Sequence, residues 1–373
     1  MNWSIKLGKI KGIDIKVHLT FILILVWAAY QWGVSTGKGL EGALFGVVVT
    51  LLLFLCVTLH ELGHSFQALR FGIPVKDITL WPFGGLAQIE RMPEKPRQEL
   101  LIAIAGPLVN LVIGFGLLLV SQVLQIQGWL AIDQLFQVLG DVSWQGLLAY
   151  LIMANFALAL FNLLPAFPMD GGRVLRALLA MRMDHAKATR WAVGIGQTLA
   201  WGLGLWGFTS GGYTLILIAI FVYLAAGQEG KTSAIKNVLG DLKVVQAMSR
   251  QVQTLTPAEP LRRAMELTLQ TTQADFPVVE NGRLVGFLTE KDLLIGLQKA
   301  GLDQPVRVFM RSDFPMIATG AFLFDAQEQM VRAQMRALPV AENGQLLGLL
   351  TAQDLNEAYR MLSISPTLAL KPA

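Results

Sequence analysis

The residues with the clearest chemistry are His60, Glu61 and His64, in the run His60-Glu61-Leu62-Gly63-His64. On an α-helix, positions four apart lie within about 40° of one another, so both imidazoles can reach one cation with Glu61 beside them. In this H-E-x-x-H arrangement two histidines hold zinc and the glutamate takes a proton from water. An isolated match on a soluble helix is most often chance. Here the preceding stretch, Val48 to Thr58, is almost without polarity, which puts three ionisable groups at the end of a membrane helix. A charge at mid-bilayer costs roughly 2.5–3.5 kcal/mol even on the lenient insertion scale, so such groups usually face a polar interior and carry function.

Two histidines are too few, because catalytic zinc generally takes three protein ligands and leaves a fourth position for water. The other histidines, His18 and His185, lie outside any metal spacing, and the single cysteine, Cys56, excludes an intramolecular disulfide and a Cys-based metal site. Cys56 reads as packing one turn before His60. The stronger third ligand is Asp170, in Asn162-Leu163-Leu164-Pro165-Ala166-Phe167-Pro168-Met169-Asp170-Gly171-Gly172-Arg173. Pro165 and Pro168 break the helix there, and the freed backbone groups are tolerable at membrane depth only where protein or water satisfies them. The other reading of Asp170 is a helix N-cap at the membrane surface.

The elements that must position these residues follow from composition. The chain has 373 residues, 54% hydrophobic and 15% charged, against about 25% charged in ordinary soluble domains. A disordered chain or a lone soluble domain is thereby excluded. The net charge of +4 gives no nucleic-acid surface. Six apolar spans are expected, at about 17–33, 43–66, 99–124, 145–164, 190–208 and 213–228. Lys and Arg cluster before span one, after spans two and four, and after span six, whereas the loop at 125–143 holds neither. By the positive-inside rule both termini are cytoplasmic, and span one reads as retained rather than as a signal peptide. Spans two and four then both run inward, bringing Asp170 to the depth of His60 and His64. Between spans two and three, Ile73 to Glu90 reads as two short strands around a Gly84-Gly85 turn. The domain division expected is 1–229 in the membrane, a linker at 230–240, and soluble repeats at 241–300 and 301–373.

The pentapeptide on one membrane helix, followed by Asn-x-x-Pro-x-x-Pro-x-Asp-Gly-Gly-Arg, resembles the site-2 protease family of intramembrane zinc metalloproteases over about residues 1–230. Met169 stands where the family usually has Leu before Asp-Gly. The resemblance implies one Zn2+ per chain on His60, His64 and Asp170, Glu61 as general base, and Asn162 as a contact to the substrate backbone or an orienting group. The strand pair is similar to the family's re-entrant β-hairpin, so Gly84 and Gly85 would border an edge on which an extended substrate adds as a strand. Gly106-Pro107-Leu108-Val109-Asn110 resembles another family motif, which makes Asn110 a substrate-binding candidate; the alternative is a kinked helix with Asn110 bonded to a neighbour. The substrates implied are single-span membrane proteins. The 125–143 loop is too short for an inserted substrate-selecting domain.

After residue 240, Pro277 to Leu293 recurs as Pro339 to Leu355, and Met248 as Met310, at one offset of 62 residues. Each copy reads strand, Asn-Gly turn, strand and a Thr-x-x-Asp helix start. A duplicated unit of this kind resembles a tandem CBS-domain pair, giving the whole chain the expected class of a six-helix polytopic membrane protein with a re-entrant hairpin plus a soluble α/β module. The resemblance implies an adenine nucleotide contacted by Thr289, Asp292, Thr351 and Asp354, and a homodimer through the pair. Capping alone also accounts for the two Thr-Asp pairs. The competing functions are a CBS-regulated transporter, with the intramembrane His and Asp lining an ion path, and a non-enzymatic nucleotide-sensing scaffold.

Overall fold

The computed structural model describes residues 3–82, 84–89, 95–123, 136, 138–240 and 242–364. The chain divides into two compact units, Met1–Gly230 and Lys231–Ala373.

In the first unit helices stand at all six expected span positions: α1 (Phe21–Ser35), α2 (Leu40–Arg70), α3 (Pro96–Val123), α4 (Trp144–Asn162), then, after a short α5 (Asp170–Ala180), α6 (His185–Ser210) and α7 (Tyr213–Leu239). Four of these, α2, α3, α4 and α7, are long and apolar enough to cross a membrane, while α1 is apolar but has only 15 residues. α6 and α7 are separated at Gly211, whose left-handed φ of 72° ends α6 within the expected Thr209–Gly212 turn. The stretch read as a linker, 230–240, is helical as far as Leu239, because α7 continues through it.

α2 shows how a bilayer inverts the usual pattern. Leu44, Val48, Leu51, Leu55 and Leu59 form an exposed apolar stripe at helical spacing, whereas Thr50, Thr58, His60, His64 and Ser65 are buried. On its inner side Gly42 and Gly46 let α1 approach closely: a Cβ on Gly46 would lie 2.6 Å from the Ala28 carbonyl oxygen.

A four-stranded sheet, in the order β1 (Ser4–Ile10), β2 (Ile13–His18), β3 (Val75–Trp81), β4 (Gly84–Ile89), packs against the helices. β2 and β3 are parallel and the other pairs antiparallel. Ile13, Val75, Ile78 and Leu80 share a core with Phe21, Phe54, Leu62 and Ile102. The expected Gly84-Gly85 turn is corrected: Trp81 pairs with Gly84 and Leu80 with Gly85, so the glycines open β4 instead of reversing the chain. The β1–β2 hairpin was hidden by its lysines, which read only as a topology signal although Ile13, Ile15 and Val17 alternate with polar residues at the strand period.

In the second unit each repeat supplies a 3-10 turn, a helix, a two-stranded hairpin and a closing helix. The first has α8 (Leu261–Gln270), β5 (Phe276–Glu280), β6 (Arg283–Leu288) and α9 (Glu290–Ala300); the second has α10 (Leu323–Ala333), β7 (Ala337–Glu342), β8 (Gln345–Thr351) and α11 (Ala352–Ile364). Asn281-Gly282 and Asn343-Gly344 all have positive φ, as a tight two-residue hairpin turn requires. The opening segments are exchanged. Val244 is buried with Leu323 and Leu338, and Val306 with Leu261 and Leu288, so each 3-10 turn seals the core of the other repeat.

Candidate metal centre

α2 carries His60 and His64 on one buried face, and the loop after α4 delivers Asp170 as the first residue of α5, following the cis Phe167-Pro168 peptide. The two Nε2 atoms are 3.1 Å apart, and Asp170 Oδ2 lies 3.2 Å from that of His60 and 3.1 Å from that of His64. Three donors at tetrahedral positions around zinc, each about 2.0–2.1 Å from the ion, would stand about 3.3 Å apart. His60, His64 and Asp170 therefore fit one zinc ion by both donor type and spacing, and they are the metal-competent cluster among the described residues.

The outer nitrogens are fixed as well. His64 Nδ1 donates to the Ile102 carbonyl at 2.7 Å, and His60 Nδ1 donates to Asn110 Oδ1. With Nδ1–H so engaged, each ring presents an Nε2 lone pair inward, the arrangement that sets the tautomer of metal-binding histidines. Asn110 is fully buried and its amide donates to Asn155 Oδ1 at 2.8 Å, while Asn155 in turn donates to the Leu151 carbonyl and to Cys56 Sγ. Asn110, expected as a substrate contact, here has no accessible surface and turns its oxygen to His60, which matches the alternative of an asparagine bonded to a neighbouring helix. Cys56 packs as expected.

Gly106 of α3 is the residue whose role the sequence concealed. A Cβ there would lie 2.2 Å from His64 Nε2 and 2.7 Å from His60 Nε2, so only glycine leaves the donors their space. Gly63 lets the same two helices close, since its Cβ would come 2.9 Å from the Ala105 carbonyl oxygen.

The family profile of peptidase family M50 matches residues 48–203, which contain all three donors, and the CBS-domain profile matches 239–299 and 306–360. The chain is 35% identical over 370 residues to zinc metalloprotease MJ0392 of Methanocaldococcus jannaschii, covering 99% of each. The chain belongs to peptidase family M50. It is 29% identical over 212 residues to stage IV sporulation protein FB of Bacillus subtilis, covering 57% of this chain and 64% of that one. Among solved structures it matches the site-2 protease from Methanocaldococcus jannaschii at 41% identity, over 61% of this chain and 95% of that one, with a TM-score of 0.44. By the profile matches and the full-length relative, this M50 protein is a membrane zinc metalloprotease with a tandem CBS module.

The other expected site residues of the protease lie on α2, β4 and α4. Glu61 lies beside β4: a Cβ on Gly85 would come 2.7 Å from Glu61 Cγ, whereas Gly84, at φ 142°, has open space around it. Asn162 is half-buried at the last turn of α4. Arg176, unmarked by the motif reading, is buried on α5 with Nε 2.7 Å from Glu99 Oε1 and Nη1 2.8 Å from Glu229 Oε1. It ties the helix that carries Asp170 to α3 and α7. The sequence signal was Glu99, a lone acid opening an apolar run.

In the repeated module, Thr289 caps α9 by accepting from the Asp292 amide at 3.2 Å, and the Thr351 hydroxyl accepts from the Asp354 amide at 3.1 Å. The capping role of both pairs is therefore present. Asp292 also takes Arg311; burial alone would raise its carboxyl, but the hydrogen bonds from Arg311 and Thr289 hold it below the usual value.

Proposed function

We propose that this M50 protein hydrolyses peptide bonds of single-span membrane proteins within the bilayer, close to the cytoplasmic side, with six spans and both termini in the cytoplasm. The observation that carries the reading is the 3.1–3.2 Å triangle of His60, His64 and Asp170 donors beside Glu61 on a helix with an exposed apolar stripe. His60, His64 and Asp170 would hold the zinc, and Asn110 and the Ile102 carbonyl keep both rings turned toward it. Bound there, zinc supplies Lewis acidity that lowers the pKa of water to about 7. Glu61 accepts the proton of the attacking water and returns it to the departing amine as the C–N bond breaks.

A substrate helix has its amides bonded to one another and must open before attack. β4 is one of the two edge strands of its sheet and begins against Glu61, so an opened segment added to that edge would lie across the base. Backbone bonding of this kind tolerates varied side chains, and Asn162 would contact the same extended backbone. In the second unit the two Thr-x-x-Asp motifs, Thr289–Asp292 and Thr351–Asp354, are the two possible places for an adenine nucleotide that tunes cleavage, and the repeats would support a homodimer.

The test is cleavage of a model single-span substrate by the full chain purified in detergent. The wild type is expected to cut, and Glu61→Gln to remain folded and inactive. Full cleavage by Glu61→Gln would remove the base assignment.

A further inference from the structure

The two Thr-x-x-Asp motifs repeat at the 62-residue offset, but the residues that face their aspartates do not. Met310 is followed by Arg311 and Ser312, whereas Met248 is followed by Ser249 and Arg250: the basic residue has moved by one position. Arg311 and Ser249 nevertheless hold equivalent backbone places. Arg311 exchanges backbone hydrogen bonds of 2.8 and 3.0 Å with Phe287, and Ser249 exchanges two of 2.9 Å with Leu349. These pairings follow from the exchanged opening segments, which lay each one against the other repeat's hairpin.

At its place the Arg311 guanidinium forks onto Asp292, Nε to Oδ2 at 2.7 Å and Nη2 to Oδ1 at 3.2 Å, and the Thr289 hydroxyl donates to Oδ2. Both carboxylate oxygens are engaged, in the two-point geometry that makes arginine–carboxylate pairs strong. Serine is too short to do the same. Asp354 receives hydrogen bonds only from the Thr351 amide and hydroxyl, both on Oδ2 at 2.8 Å, and Oδ1 has no donor among the described residues. A carboxylate with a free oxygen can accept the adjacent hydroxyls of a ribose. One held by a guanidinium must first give up that partner.

We infer that the module binds one ribonucleotide per chain, at Thr351 and Asp354, and that Arg311 holds the Thr289–Asp292 position closed. The inference rests on the nucleotide reading given above. Its test is calorimetric titration of the full chain in detergent with AMP and with ATP as probes. The wild type should take up one molecule per chain. Asp354→Ala should weaken binding about tenfold or more, the loss of a charge-assisted hydrogen bond, while Asp292→Ala leaves it within about twofold. Arg311→Ser, which copies the residue of the other repeat, should raise the stoichiometry to two. Two molecules per wild-type chain, loss of binding in Asp292→Ala alone, or one molecule in Arg311→Ser would each overturn the inference. If the wild type binds neither probe while still cleaving substrate, the nucleotide reading falls, this inference with it, and the protease reading stands.

Discussion

The metal centre and the repeated module are both built on a short polar motif, and they use it in opposite ways. In the membrane unit, ring nitrogens that do not face Asp170 are bonded to Asn110 and Ile102, so the donors that remain converge on one point. In the module the same Thr-x-x-Asp occurs twice, and a single neighbouring residue, Arg311 against Ser249, decides whether its carboxylate is engaged or open. A motif fixes which atoms are present; the second layer around it fixes which of them are available.

The largest effects are expected at the metal centre. Glu61→Gln is expected to lower the cleavage rate by about 10²–10⁴-fold, the usual contribution of a general base, with zinc retained. Gly106→Ala pushes a methyl group onto both donor nitrogens and should abolish metal retention on a chelating column, even though alanine is the better helix former. Asn110→Ala leaves the donors but frees the His60 ring; competition with a chelator should show zinc affinity reduced roughly 10–100-fold, the scale of losing an outer hydrogen-bond partner.

Away from the metal, Arg176→Ala leaves the buried Glu99 carboxylate with only His185 Nε2 at 3.4 Å and should destabilise the membrane unit by up to about 3–5 kcal/mol, read as early thermal unfolding in detergent. The smallest effect belongs to the half-exposed Arg311–Asp292 pair. Because Asp292 is held below the usual carboxylate value, its contribution is present at neutral pH and above and is lost as pH falls through the lowered value. Arg311→Ser should remove under about 1 kcal/mol at pH 7 and nothing at strongly acid pH, measured by hydrogen exchange of residues 276–311.

What the sequence made legible was local or periodic. His60 and His64 declare themselves because their spacing matches one helical turn, and the six helix positions because apolar runs dominate each. Asp170 could be paired with them only through the depth argument from charge placement. The repeats were legible in their unbroken 62-residue offset. What stayed hidden depends on contacts between distant segments. Gly106 beside Pro107 reads as a kink until two imidazoles are set against it, and the bond between Asn110 and His60 joins residues fifty positions apart on two helices. Gly84-Gly85 has turn composition, yet the strand pairing moves the turn ahead of it and leaves the glycines where β4 meets Glu61. The Arg176–Glu99–Glu229 network joins three helices far apart in the chain, and nothing in their spacing announces it. Nor does the exchange of opening segments show in the expected boundary at residue 300, since it is a matter of which hairpin each segment lies against.

The central claim is that His60, His64 and Asp170 form one zinc site served by Glu61. Its most direct test is zinc content, side by side with cleavage, in the purified wild type, Glu61→Gln and Asp170→Ala. One zinc per chain is expected in the wild type and in Glu61→Gln, cleavage by the wild type alone, and neither zinc nor cleavage in Asp170→Ala. Equal zinc in all three, or cleavage that survives the loss of Asp170, would contradict it.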